Sequence, residues 1–436
     1  MSRRENVKKM LRLSQSQWKP LAAGTFFLFV AAGLNLSFPM LIGFLIDDIE
    51  FGSQAGQETL NGYILSLLGL FFFVGIATFF RAYLFVVAGE RIVANLRRDV
   101  FAALIGQEIG FFDLNRTGSL TNRLASDTTV VQNAVTVNLS MALRFSLSGL
   151  GSILILFYMS WQLTLVMLIT VPLVAVAATY YGRMLQRISV KVQDALADST
   201  AIAEEGFSNI RTVRAFARET FEQKRYGAAV EQSFQIAKKR ALIAASFQGL
   251  LSFAGYGAIC GVLWYGGLLL IEGKLAFGAL TSFILYTFTV AFSISALSGL
   301  FGDFAKALGA SERIFSFLDR ATTIQDGQRE VVEAKGNLRF QDVVFAYPTR
   351  PDFPVLRTFS LSLSNGEVVA LVGPSGGGKS TVAALVSRFY DPQSGIITFD
   401  DVPIHELKKD WLRAQLGIVS QEPILFATSI LDNIRY

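Results

Sequence analysis

Residues 368–381 read Val368-Val369-Ala370-Leu371-Val372-Gly373-Pro374-Ser375-Gly376-Gly377-Gly378-Lys379-Ser380-Thr381. The first five residues are apolar, as in a buried strand, and they run directly into a glycine-rich loop. Gly373 to Ser380 fits G-x-x-x-x-G-K-[ST], and Thr381 to Val386 continues as a helix would, so the motif has the strand–loop–helix context it needs. These residue types suit a phosphate. Glycines let successive backbone N–H groups turn inward around an anion, and the following helix N-terminus adds partial positive charge. Lys379 can reach the β- and γ-phosphates of a nucleoside triphosphate, and the Ser380 hydroxyl can ligate Mg²⁺. Upstream, Leu338–Phe345 and Phe359–Ser364 alternate as strands do, so this end of the chain reads as a mixed α/β domain.

The rest of the chain has a different chemistry. Of 436 residues, 52% are apolar and only 17% charged, and mean hydropathy is +0.45. A soluble chain carries about a quarter charged residues, so much of this apolar surface faces a bilayer. Disorder is excluded on the same ground. The single Cys260 excludes a disulfide scaffold and any multi-cysteine metal or iron–sulfur site, and the single His405 excludes histidine clusters. Residues 40–171 and 173–347 contain no proline, which permits very long helices. Apolar runs cover 21–46, 63–88, 139–159, 162–181, 242–271 and 277–302, each long enough for the ~20 residues of a spanning helix. The third and fourth are parted only by Ser160 and Trp161, a tight reversal. The predicted fold class is a multi-pass α-helical membrane domain, with six transmembrane helices and long cytoplasmic extensions, plus a partial α/β P-loop nucleotide-binding domain. The predicted boundaries are a cytoplasmic segment 1–20, the membrane domain 21–305, a linker 306–335, and the nucleotide part 336–436.

Lys and Arg set the orientation. Six lie in the first twenty residues, five in 89–135 and eleven in 182–240, whereas 47–59, 160–161 and 272–276 hold only Lys274. Both termini and the two large connections are therefore expected in the cytoplasm, with the first run an uncleaved span rather than a signal peptide. The net charge of +5 is a cytoplasmic-side bias and not a nucleic-acid surface. The stretches 89–135 and 182–240 have helix-forming composition, so each reads as two helices projecting from the membrane and reversing at a tip. The predicted tips are Gly110–Gly118 and Gly206–Ile210, where exposed aromatics mix with turn formers.

Taken in order, these features resemble an ATP-binding cassette exporter of the half-transporter type, the group of bacterial lipid and multidrug, antigen-peptide and mitochondrial exporters. The resemblance rests on Phe111-Phe112-Asp113 with Thr117-Gly118; Asn209-Ile210-Arg211-Thr212-Val213-Arg214; Tyr347-Pro348-Thr349-Arg350-Pro351-Asp352; the glycine loop; Arg388-Phe389-Tyr390-Asp391-Pro392; and Val419-Ser420-Gln421-Glu422-Pro423. It implies ATP and Mg²⁺ as cofactors. ATP would be held by Tyr347 stacked on adenine, by Gly373, Pro374, Ser375, Gly376, Gly377, Gly378, Lys379, Ser380 and Thr381, and by Gln421. Ser380 and Gln421 would approach Mg²⁺. Phe111, Phe112, Asp113, Phe207, Asn209 and Arg211 would be coupling residues, the second tip docking on a partner subunit in a homo- or heterodimer. The cargo would be a hydrophobic or amphipathic small molecule, lipid or peptide. The membrane would be a bacterial plasma membrane, with a mitochondrial inner or other organelle membrane as the second reading.

No catalytic residue is assigned. The family's serine-glycine signature, Mg²⁺-holding acid, catalytic glutamate and switch histidine follow the glutamine loop, and the chain ends at Tyr436. Asp400 and His405 lie too early to be that acid and that histidine, and Asp400 reads as a strand-end turn residue. The central sheet is expected to lack strands and to leave an apolar face exposed. Two readings follow: the front part of an ATP-driven exporter, or a truncated, non-hydrolysing binding or regulatory subunit paired with a full-length relative. Within the runs, Asn35, Ser146, Thr164, Gln248, Thr287 and Ser293 suit either helix packing or an amphipathic cargo. Arg81 and Arg144 face water or a partner, or else snorkel to the interface.

Overall fold

The computed structural model describes residues 3–51, 57–419, 421 and 423–436. Residues 52–56 of the connection 47–59 lie outside the described residues, as do Ser420 and Glu422 of the motif at 419–423. In chain order the helices are α1 (Arg3–Gln15), α2 (Trp18–Phe51), α3 (Gln57–Ile105), α4 (Ile109–Leu114), α5 (Thr117–Asn122), α6 (Thr128–Asn133), α7 (Leu139–Met159), α8 (Trp161–Ser208), α9 (Ile210–Ala215), α10 (Glu219–Ile271), α11 (Phe277–Leu318), α12 (Lys379–Val386), α13 (Lys409–Ala414) and α14 (Ile430–Arg435). The strands are β1 (Leu338–Phe345), β2 (Leu356–Leu363), β3 (Ser394–Phe399) and β4 (Val402–Pro403). The chain forms two compact units, Gln17–Ala88 with Thr136–Phe304, and Met1–Ser16 with Gly89–Val135 and Ala305–Tyr436.

The first unit is helical. Among the described residues, five helical stretches are long and apolar enough to cross a membrane: Trp18–Ile49, Gln57–Ile105, Thr117–Met159, Glu219–Ile271 and Phe277–Leu318. The sixth apolar run, 162–181, lies in α8, a continuous helix of 48 residues; the side chains of 170–176, 178 and 179 are outside the description. The reversal expected at Ser160 is present. Ser160 leaves helical geometry (φ −161°), and its hydroxyl accepts from the Leu163 N–H at 3.3 Å, capping α8.

Proline inside a helix removes one backbone donor, and side chains of packed helices help keep the nearby carbonyls bonded in an apolar medium. Beside Pro39 of α2, α11 brings two such donors: Ser282 Oγ donates to the Pro39 carbonyl at 2.7 Å, and the Tyr286 hydroxyl donates to that of Leu36. The two backbones come close because Gly43 faces Gly278. A Cβ on Gly278 would lie 1.9 Å from the Gly43 carbonyl oxygen, and the Gly278 N–H donates to Asp47 Oδ1 at 2.6 Å.

The second unit holds a four-stranded antiparallel sheet in the order β2-β1-β3-β4. A regular strand cannot bury residues three apart on one face. β1 nevertheless buries both Phe340 and Val343, because a bulge at Asp342 (φ +48°) resets its alternation. Its core is Phe340, Val343, Phe345 and Ile397 with Val382 and Leu385 of α12.

One expectation fails. Residues 368–372 form no strand, and Val368 and Val372 are 97% and 89% exposed. A buried parallel strand needs neighbours beside it and cover on both faces. No strand among the described residues pairs with this segment. The expected apolar exposure is present here and at Val419, Ile424 and Ile430.

The Gly43–Gly278 approach makes a direct prediction. Gly278→Ala should destabilise the helical unit by about 1–3 kcal/mol or more through overpacking against backbone. Gly267→Ala, whose added Cβ meets nothing within 4 Å, should be neutral or mildly stabilising. Thermal unfolding in detergent distinguishes them.

Candidate nucleotide-binding site

The loop 373–380 turns where only glycine is comfortable. Gly376 and Gly378 have φ of +80° and +88°, and Gly378 is the residue that enters α12. A Cβ on Gly378 would also lie 2.8 Å from Leu356 Cδ2, so both backbone angle and space demand glycine there. Lys379 folds back over the loop, its Nζ donating to the carbonyls of Gly373 at 3.0 Å and Pro374 at 2.8 Å. The N–H groups of Lys379 and Ser380 have no backbone acceptor among the described residues. These unpaired donors at a helix N-terminus, with a lysine beside them, fit a polyphosphate. Ser380 is exposed and offers one hydroxyl. That fits Mg²⁺, which in such loops takes most of its oxygens from phosphates and water.

Tyr347 reaches the loop helix. Its hydroxyl is 2.9 Å from Thr381 Oγ1, so Thr381, read from the sequence as a nucleotide contact, is also a clamp on Tyr347. The Tyr347 ring packs edge-on to Phe345 and to Tyr390, at centroid distances of 5.0 and 5.3 Å. Tyr390 then donates its hydroxyl to Asp113 Oδ2 at 2.6 Å. Burial, with the Asp113 carboxylate beside it, raises the Tyr390 hydroxyl well above its ordinary value, so it stays a donor across the physiological range. Gly110 sits against Pro348, where a Cβ would lie 3.1 Å from Pro348 Cγ. The first tip is therefore seated beside the aromatic cluster through Gly110 and Asp113.

The rest of that tip is pinned by α11. Phe111 is buried edge-on to Phe317, with the Arg320 guanidinium 5.0 Å above its ring. Arg320 also pairs with Glu108 at 2.8 Å. Burial works against ionisation of Glu108, but its bonds from Arg320 and the Thr323 N–H hold the carboxyl below its usual range. Behind the tip, Arg313 grips Asp127 with two bonds of 2.8 and 2.7 Å. Phe112 is more exposed than Phe111.

The structure does not bring every expected site residue together. Gln421 is exposed and makes no hydrogen bond to the loop among the described residues. Phe207, Asn209 and Arg211 lie at the α8–α9 turn in the other unit, all exposed, with Phe207 at 77%. Asn209 bonds only locally, its Nδ2 donating to the Glu205 carbonyl at 2.9 Å. Sequence reasoning assigned no role to Tyr390. Tyr390 entered only within the marker Arg388–Pro392, and nothing local to that stretch points to Asp113. Arg388, two residues earlier, is 2% exposed at φ +49° and donates to the Leu407 and Gln325 carbonyls at 3.3 and 2.8 Å. It is a structural staple.

Two sequence profiles match the chain, one described as ABC transporter transmembrane region over residues 21–294 and one as ABC transporter over 356–434. The chain belongs to the ATP-binding cassette exporters. It is 41% identical over 432 residues to ABC transporter B family member 1 of Dictyostelium discoideum, covering 99% of this chain and 47% of that protein. It is 40% identical over 437 residues to the mitochondrial ATP-binding cassette sub-family B member 10 of Mus musculus, covering 99% and 61%. It is 37% identical over 438 residues to ABC multidrug transporter mdr2 of Aspergillus fumigatus, covering 99% and 55%. The chain thus spans about half to three-fifths of the length of these relatives. With its apolar helices, this makes it a multi-pass membrane protein of the half-transporter group with a nucleotide-binding domain.

Asp400 of this exporter chain is the turn residue its position implied. At φ +46° it follows β3 and accepts from the N–H groups of Lys335, Gly336 and Asn337 at 2.7, 3.1 and 2.8 Å. Burial works against its ionisation, but these donors win and hold the carboxyl below its usual range. A depressed folded-state value stabilises fully above the unfolded value and fades as pH falls through the folded one. Asp400→Asn should therefore cost about 1 kcal/mol at pH 7. The deficit should shrink as pH drops below the ordinary aspartate range, read as the difference in unfolding temperature between wild type and variant.

Proposed function

We propose that the chain is the membrane part and nucleotide-loading part of an exporter subunit. In this reading, ATP binding and hydrolysis drive export of a hydrophobic or amphipathic lipid, drug or peptide, and two subunits work as a dimer. The observation that carries the reading is the Tyr347–Tyr390–Asp113 chain of contacts, which ties the nucleotide loop to a tip between membrane helices. When ATP is bound, Lys379 and the loop N–H groups would hold its phosphates. Tyr347 would stack on the adenine, and Ser380 with Gln421 would face Mg²⁺. Metal-bound phosphate supplies charge stabilisation for transfer to water. The second tip, with Phe207, Asn209 and Arg211, would dock on the partner subunit, which its exposure allows.

Six spans with both termini cytoplasmic fit the Lys and Arg distribution, and the domain boundaries 1–20, 21–305, 306–335 and 336–436 are retained. A bacterial plasma membrane is the first assignment. A mitochondrial inner membrane is the second, supported by the mitochondrial name of the mouse relative.

The test is nucleotide binding by the purified chain in detergent or nanodiscs, followed with a fluorescent ATP analogue. Lys379→Ala should weaken binding at least tenfold. Tyr347→Ala should weaken it more than Tyr347→Phe, because only the former removes the ring. Equal binding by wild type and Lys379→Ala would overturn the reading.

A further inference from the structure

From the first tip the chain runs as one helical stretch, Thr117–Met159, but the helix is not regular throughout. Its backbone widens to π geometry at Arg123–Asp127 and again at Ala134–Asn138. A π turn pairs an N–H with the carbonyl five residues back rather than four. It holds one residue more than the α-helix would, so a carbonyl at its exit loses its regular backbone donor. Arg123–Asp127 contains no proline or glycine to force the change. Something else holds the turn open.

Side chains supply that hold. The Thr128 hydroxyl donates to the Leu124 carbonyl at 2.7 Å, and the Thr129 hydroxyl to that of Ala125 at 2.9 Å. Arg97 of α3 reaches the same patch. Its Nε donates to Thr128 Oγ1 at 3.2 Å, and its Nη2 to Thr129 Oγ1 at 3.0 Å and to the Ala125 carbonyl at 3.3 Å. These bonds of one guanidinium all fall on the wide turn and its exit, and no carboxylate pairs with Arg97 among the described residues. The two ends of the turn are gripped by α11: Arg313 binds Asp127, and the Arg123 guanidinium lies 5.4 Å from the centre of the Phe317 ring.

Such a turn has an alternative. Expelling its extra residue restores α geometry, which rotates the tip side of the helix by about 100° around its axis and shifts it by about 1.5 Å. On the tip side lie α5 and, before it, α4 with Asp113. In the wide register Asp113 accepts from Tyr390 at 2.6 Å, and a rotation of that size breaks the bond. The two registers thus differ in their contacts to the aromatic cluster beside the nucleotide loop, which is the condition for a ligand to bias them. We propose that Arg123–Asp127 is a register switch for the first tip, clamped in its wide state by Arg97 and coupled to the nucleotide loop through Asp113. Only the nucleotide bias rests on the exporter reading.

The experiment is hydrogen–deuterium exchange of the full chain in detergent, followed by mass spectrometry over residues 123–130, with 145–156 of α7 as the control for folding. In the wild type, 123–130 should exchange at least tenfold faster than the regular stretch 90–100 of α3. A bound non-hydrolysable ATP analogue should slow that exchange at least threefold, and Asp113→Ala saturated with the analogue should lose the slowing. Arg97→Gln should speed exchange at least fivefold and Arg97→Lys less, whereas Arg98→Gln, whose side chain bonds only to nearby Asn95, should change nothing. Deleting the exposed Ser126 removes the extra residue, and should bring 123–130 to the rate of α3 and abolish its sensitivity to Arg97. Fast, Arg97-sensitive exchange in the folded deletion variant would overturn the switch. So would an unchanged rate in Arg97→Gln, or equal rates with and without bound analogue. If the deletion variant does not fold, the α7 control reveals it and the Arg97 and analogue arms decide. If the wild type binds no analogue, the exporter reading fails, and the deletion and Arg97 arms still decide the switch.

Discussion

Inside hydrocarbon, a backbone N–H or C=O has no water to bond, and the architecture follows from keeping those groups paired. The apolar runs are helices because only a helix pairs its own backbone. They extend to 49, 48 and 53 residues in α3, α8 and α10 because continuing a helix into water needs only a change of surface residues. The exceptions show the same constraint. Where Pro39 interrupts α2, side chains of α11 donate to the nearby carbonyls. Where the chain reverses at Ser160, the serine caps the helix that follows.

In the other unit the constraint is the placement of charge against charge. The loop at 373–380 gathers unpaired donors and one lysine at a helix N-terminus, an arrangement stable only beside acceptors. The Lys379 ammonium takes the carbonyls of Gly373 and Pro374 as its acceptors. The aromatic cluster Phe345, Tyr347 and Tyr390 gives the loop helix a rigid neighbour, and Tyr390 carries that rigidity to Asp113 of the first tip. Arg320, just past α11, covers Phe111 of the same tip, and Arg313 of α11 grips Asp127 behind it. A change in the position of Tyr347 has few soft contacts in which to dissipate.

Much of this was readable in the residues. The glycine loop, β1 at Leu338–Phe345, the reversal at Ser160 and both tips follow from local patterns, because each depends on neighbours a few positions away. The segment 368–372 was misread as a buried strand. Its five apolar residues are right for one, but a strand in a parallel sheet exists only through partners, and periodicity says nothing about whether those partners are beside it. The role of Tyr390, quoted only as part of a marker, was unreadable for a related reason: its partner is Asp113, 277 positions away.

Sequence by itself determined the long apolar helices, the glycine-rich loop and the clustering of Lys and Arg along the chain, since each is a one-dimensional property of spacing, composition or run length. Tertiary structure alone decided which polar groups were explained and which were not. Asn35, Thr164 and Thr287 suited helix packing or a cargo in the sequence, and their bonds to own-helix carbonyls account for them. Arg81 could have turned to the boundary or to a partner, and it bonds Ser140 of the neighbouring α7 instead. Where a long side chain sends its charge is settled by the helix that packs next to it, and that neighbour is set by the fold.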